Sequence, residues 1–248
     1  MTDGIAHGQW VEYVGSGSAE QLRDELAGFD GLQQAFDNGD MGVCPIGEFY
    51  AFCGHSDVVD PAHAVDVRVI AAEKALAAGY TGFRAVVDCT AVARTPQHRE
   101  AFARFEYLID QKMSALPVTA LCAYDASELG AAAVAEMACL HPLANEGFTS
   151  FHLYADQDID FALAGEIDLS CAGMYATTLG RIIDLSAGPE LIIDARGLTF
   201  IDHRRLLVLA EFARSAGNTV VLRTDVPSTA ARVVEVLGVK DARVVVQQ

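Results

Sequence analysis

Residues 190–212 read ELIIDARGLTFIDHRRLLVLAEF, and the order of elements in this stretch decides the fold class. LIID is a short apolar run between turn signals and reads as a buried strand; DARG is a turn, LTFI a short strand end, and the run that follows is helical to Arg214. A strand feeding a helix in so few residues is the unit of an α/β fold. At the junction stand Asp202 and then His203, Arg204 and Arg205. Positive charge is disfavoured there, because the helix macrodipole is already positive at its N-terminus. Helix stability therefore does not account for the three basic residues.

Outward from this stretch the alternation continues. FHLYAD and DFALAG read as two short strands and GEIDLSCAG as a turn into a helix through Ile183. NTVVLRT, PSTAARVVEVLG and ARVVVQ read as strand, helix and final strand. In the first half WVEYV is a strand, GSGS leads into a helix over residues 19–26, and GLQQAFDNG is a short helix. DPAHAVDVRVIAAEKALAAGY is a helix that Asp60 caps, Pro61 starts and Gly79 stops. FRAVVD and VTALCAYD read as buried strands on either side of the amphipathic helix HREAFARFEYLIDQKM. AAAVAEMACLH is a further helix, and the turn-rich HPLANEGFTS separates the two series. Two domains are expected, residues 1–148 and residues 149–248.

Composition narrows the function. A chain of 248 residues with a 52% hydrophobic fraction buries a sizeable core. Its apolar runs are far shorter than the roughly 20 residues that span a bilayer, and MTDGIAHGQW carries no signal pattern, so a soluble, cytoplasmic protein without membrane contact is expected. The net charge of −17 argues against nucleic acid, whose phosphates need Lys and Arg. Residues 1–150 hold 21 acidic against 8 basic side chains, so most of that charge lies in the first half. Six scattered cysteines form no CxxC pair and are expected to act mainly as small core residues.

Four constellations bear on chemistry. GSGSAE follows the first strand but has no lysine to reach a phosphate, which excludes standard P-loop chemistry. His55, Asp57, Asp60, His63 and Asp66 are metal-ligand types in a short span, but a capping role for Asp60 disperses them, and neither a metal nor a cofactor is expected. Asp88 and Cys89 stand at the carboxyl end of a strand, where open α/β sheets bind ligands; with Tyr124 and Asp125 they form a possible ligand pocket. No histidine with a paired acid can be assigned as a base to that end, so a hydrolase or transferase using Asp88, Cys89 or a histidine has little support.

The second half resembles a STAS domain of the anti-sigma factor antagonist kind. GEIDL at residues 165–169 is similar to that family's early GELDL turn, ELIIDARGLTFID to its central strand and loop, and PSTAARVVEVLGVKD to its last helix. The resemblance implies binding to a partner that is both anti-sigma factor and kinase, of the ATPase type. It also implies a D-S-S-G loop whose serine, just after the Asp, is phosphorylated. Here Asp202 is kept, His203 stands in the place of that serine, and Arg204 and Arg205 follow. The serine switch cannot operate at position 203, which leaves Thr199 or Ser228 as other hydroxyls for it. The implied partner surface is Asp168, Asp202, His203, Arg204 and Arg205.

The first half resembles the MEDS sensory domain, a RecA-like α/β domain of bacterial regulators, in GYTGFRAVVDCT, FARFEYLIDQ, PVTALCAYDASELG and CLHPLAN. That resemblance implies detection of hydrocarbon-derived signals. The strand and helix with which such domains begin have no counterpart here, and the sheet edge so left favours self-association, with a homodimer as the expected form. Together the resemblances imply a non-catalytic regulator acting by binding. The alternative is a small-molecule sensory or scaffold protein whose N-terminal domain binds the ligand while the STAS domain mediates association.

Overall fold

The computed structural model describes residues 1–156, 158–186, 188–225, 229–238 and 242–246. The chain divides into two compact units, Met1–Val134 and Ala135–Gln248. The division falls inside a helix, and the turn-rich residues 141–150 lie within the second unit.

The first unit opens with a short helix α1 (Thr2–Ala6), then β1 (Trp10–Gly15), α2 (Ala19–Leu26), α3 (Leu32–Asn38), β2 (Met41–Pro45), α4 (Ile46–Phe49) and α5 (Pro61–Ala77). It continues through β3 (Phe83–Asp88), α6 (Thr90–Ala93), α7 (Pro96–Met113), β4 (Val118–Ala123) and α8 (Ala126–Leu129), and α9 (Ala131–Ala138) carries the division. Local chemistry sets the helix starts. Ser18 and Gln21 form a reciprocal capping box on α2, and Asp60 accepts from the His63 N–H to cap α5, with Pro61 in the first turn. Thr95 does the same for α7.

The strands form a four-stranded sheet in the order β2-β1-β3-β4, with all three pairings parallel. The order reverses between β1 and β3, so the crevice outside the carboxyl ends of those two strands is the topological switch point. VTALCAYD is not the buried strand its apolar sequence suggests. As the terminal strand β4 it is mostly exposed, Leu121 at 58%. β3, with a neighbour on each side, buries Phe83, Ala85 and Val87 instead.

The second unit contains β5 (Phe151–Asp156), β6 (Ile159–Ile167), α10 (Ala172–Ile182), a 3₁₀ turn (Ile183–Leu185), β7 (Glu190–Asp194), β8 (Leu198–Ile201), α11 (His203–Ser215), β9 (Thr219–Thr224), α12 (Thr229–Leu237) and β10 (Ala242–Val246). Its six-stranded sheet runs β10-β9-β7-β6-β5, and β8 also pairs with β6. β5 is antiparallel to β6 and the other pairings are parallel. DFALAG and GEI are one strand rather than a strand and a turn. β6 passes through Gly165 at φ +82, and the register to β8 shifts there. Phe151, Leu153, Phe161, Leu163, Tyr175 and Leu179 are fully buried around this strand, and the Phe151 and Tyr175 rings meet edge to face at 5.6 Å.

Of the six cysteines, Cys89, Cys139 and Cys171 are buried, Cys44 and Cys122 are half-buried, and Cys53 is exposed. Burial pushes the Cys139 thiol up to about 11, which keeps it protonated and inert. No helix among the described residues is long and apolar enough to cross a membrane.

Candidate functional site

In the second unit the sheet register builds one end of a surface. β6 pairs its first half with β7 (Phe161↔Ile193) and its last residues with β8 (Ile167↔Ile201), and the Asp202 N–H donates to the Ile167 carbonyl at 3.0 Å. The turn at Asp168 and the loop at residues 202–205 therefore lie side by side, although 34 residues separate Asp168 from Asp202. Asp168 Oδ1 accepts from the Ser170 N–H at 2.8 Å and from its hydroxyl at 2.6 Å. The Ser170 hydroxyl, the Ser170 N–H and, more weakly, the Arg205 guanidinium hold the Asp168 carboxyl below the usual aspartate range.

The basic triplet separates into two parts. Asp202 Oδ1 caps α11 by accepting from the Arg205 N–H at 2.9 Å, and Oδ2 lies 3.3 Å from the Arg205 guanidinium. Arg205 is only 12% exposed in its side chain and is neutralised in place by the residue that caps its own helix. This is why the helix tolerates a cation in its first turn. His203 and Arg204 are exposed, in the first turn of α11. Next to Asp168 and residues 202–205 in the chain are three exposed apolar side chains the sequence reading did not single out: Leu169 at 72%, Phe200 at 41% and Leu207 at 46%. Their signal was an apolar residue directly beside a charged turn or on the polar side of α11.

In the first unit the structure brings Asp88, Cys89, Tyr124 and Asp125 to one carboxyl edge of the sheet. The Cys89 N–H donates to the Ala123 carbonyl at 2.8 Å, and the Asp125 N–H donates to the Thr90 hydroxyl at 2.9 Å. Their polar atoms serve local structure. Asp88 Oδ1 accepts from the Thr90 N–H, and Asp125 Oδ1 accepts from the Ser127 N–H and hydroxyl, which lowers its carboxyl. Cys89 is fully buried, with its sulfur 3.9 Å from the Tyr50 hydroxyl, and burial raises both the Tyr50 and Tyr124 hydroxyls. The metal-type residues of the preceding loop are held apart from one another: Asp60 caps α5, and Asp57 pairs with His98 Nε2 at 3.2 Å.

An apolar cavity lies elsewhere, between the sheet and the helices α5 and α7. A cavity of about 40 Å³ is lined by Phe49, Tyr50, Arg68, Val87, Phe105, Ile109 and Cys122 among others, with Glu106 and Lys112 also on its wall. None of the four sequence-assigned residues lines it. Its polar members carried a readable signal: Arg68 interrupts the apolar run VRVIAA, and Glu106 falls on the same helical stripe as Phe102 and Phe105.

The family model described as MEDS, the methanogen/methylotroph DcmR sensory domain, matches residues 1–142. No curated protein and no solved structure matches the chain.

Proposed function

The chain belongs to the MEDS family and so has a sensory, regulatory role, and from that premise we propose that its second unit is the output element, a STAS-type domain that binds an anti-sigma factor of the kinase class. The observation that carries this reading is the β6–β8 pairing, which makes one surface of Asp168 and residues 202–205. Exposed Leu169, Phe200 and Leu207 adjoin these segments in the chain, and with exposed His203 and Arg204 they supply apolar and polar side chains of the kinds that protein interfaces combine. Regulation by a serine at position 203 is absent, because His203 has no hydroxyl to phosphorylate. The Thr199 hydroxyl is engaged, donating to the Gly165 carbonyl at 2.8 Å, and Ser228 lies outside the described residues. The chain acts by binding, since Asp88 and Asp125 are committed to capping turns and Cys89 is buried.

The test uses exposed positions, because Asp202 and Arg205 hold α11 together. Affinity capture from source-cell lysate with the wild-type chain is expected to enrich an ATPase-fold anti-sigma factor. Arg204→Glu with Leu207→Asp is expected to lose it, by tenfold or more, as central interface truncations do. Equal recovery by both proteins, or an enriched set without such a partner, would discard the assignment.

A second reading is favoured by the cavity: the first unit binds a small molecule there, as a sensory input.

A further inference from the structure

We propose that a second copy of this chain docks on the open edge of β4, antiparallel and across a two-fold axis at Ala120, so that two four-stranded sheets join into one of eight strands. The sequence places an open edge at the N-terminal end of the sheet, but the N-terminal strand β1 has β2 on one side and β3 on the other. The edge that a second copy fits is at the far side of the sheet.

β4 ends the order β2-β1-β3-β4, and its ladder with β3 runs without a register shift from Val118 to Ala123. The Phe83 N–H donates to the Pro117 carbonyl at 3.0 Å and the Cys89 N–H to the Ala123 carbonyl at 2.8 Å. Backbone groups alternate sides along a strand, so Thr119 and Leu121 also turn theirs toward β3, and Ala120 turns its N–H and carbonyl outward. Among the described residues no strand pairs that outer side. Thr119, Ala120, Leu121 and Ala123 are exposed. β2, the other terminal strand, ends on Pro45 and has no exposed residue.

Charge then selects the occupant. Edge strands normally carry a charge, a proline or a bulge that turns away a second strand, and Val118–Ala123 has none of the three. The whole stretch ALPVTALCAY, residues 115–124, is uncharged, although residues 1–150 hold 21 acidic against 8 basic side chains. An equally acidic copy meets least repulsion along this strip. Antiparallel pairing also makes the strip its own complement. With the axis at Ala120, that residue exchanges two backbone bonds with Ala120 of the second copy, and Leu121 stands opposite Thr119 of the second copy, which covers its open side chain. The ends match as well. Lys112, exposed and on one cavity wall with Val118, marks the start of the strip. Asp125, exposed and kept below the usual aspartate range by its bonds from Ser127, marks the end. Running antiparallel, the basic end of each copy meets the acidic end of the other.

Sedimentation velocity of the full chain is expected to show reversible dimerisation with a dissociation constant on the order of 10–100 μM, since one strand pair makes a small interface. Leu121→Lys places a charge on each side of the axis and weakens it about tenfold or more. Thr119→Lys, also at an exposed position, takes its place if that variant does not fold. Hydrogen exchange at the Ala120 amide locates the contact: it slows as the wild-type concentration rises through the dissociation constant, and in the lysine variant it does not. A chain that sediments as a monomer throughout overturns the inference. So does a dimer that persists in the lysine variant, or one that leaves exchange at Ala120 unchanged.

Discussion

Replacing Gly165 by alanine is expected to destabilise the second unit by roughly 3 kcal/mol. Two costs combine. The residue sits at φ +82, where an L side chain costs about 1–2 kcal/mol. A Cβ built there also runs into the Ser150 carbonyl oxygen and crowds Phe151 Cα at 3.1 Å, backbone atoms of the adjacent strand that cannot rotate away. Because β6 carries β5 on one side and both β7 and β8 on the other, the strain reaches the surface formed by Asp168 and Asp202. Urea unfolding followed by hydrogen exchange at the amides of residues 151–167 checks this. Protection there should fall while that of β1 and β3 stays, and unchanged protection would refute the argument.

Phe102→Ala is expected to cost the first unit about 3–5 kcal/mol. The ring is fully buried, stacked on Phe105 at 5.5 Å and 15°, and met edge-on by Tyr50 at 5.5 Å. Both partners also line the cavity, so truncation removes burial, aromatic contact and the support of two cavity walls together. Thermal unfolding of the full chain should show the first unit's transition lowered by many degrees. A loss below about 1 kcal/mol would mean that α5 and α7 close over the gap.

Much of this architecture was legible in the sequence because its signals are local. Asp60-Pro61, Gly79 and the apolar runs FRAVVD and ELIID each fix an element within a few residues, and the structure has those elements. What was not legible depends on partners distant in the chain. The apolar sequence VTALCA reads the same at a sheet edge as at its centre, and only the order β2-β1-β3-β4 distinguishes them. The continuity of β6 was hidden by Gly165, which reads as a turn and is a strand residue with left-handed backbone.

The sites follow the same division. The adjacency of Asp168 and Asp202 was implied by resemblance and is geometric in the structure, through one pairing of β6 with β8. The pairing of Arg205 with its own cap residue could not be read from charge order alone, since HRR gives no sign of which cation folds back. The cavity was missed because its wall comes from α4, α5, β3, α7 and β4, none of which carries a ligand-binding motif of its own.

The end of the second unit formed by Asp168 and residues 202–205 is the output surface proposed above. Hydrogen exchange of the full chain with and without the captured anti-sigma factor tests it most directly. New protection is expected in residues 167–171 and 200–207, with the edge strand β10 unchanged. Protection that avoids both segments and falls elsewhere on the unit would contradict it.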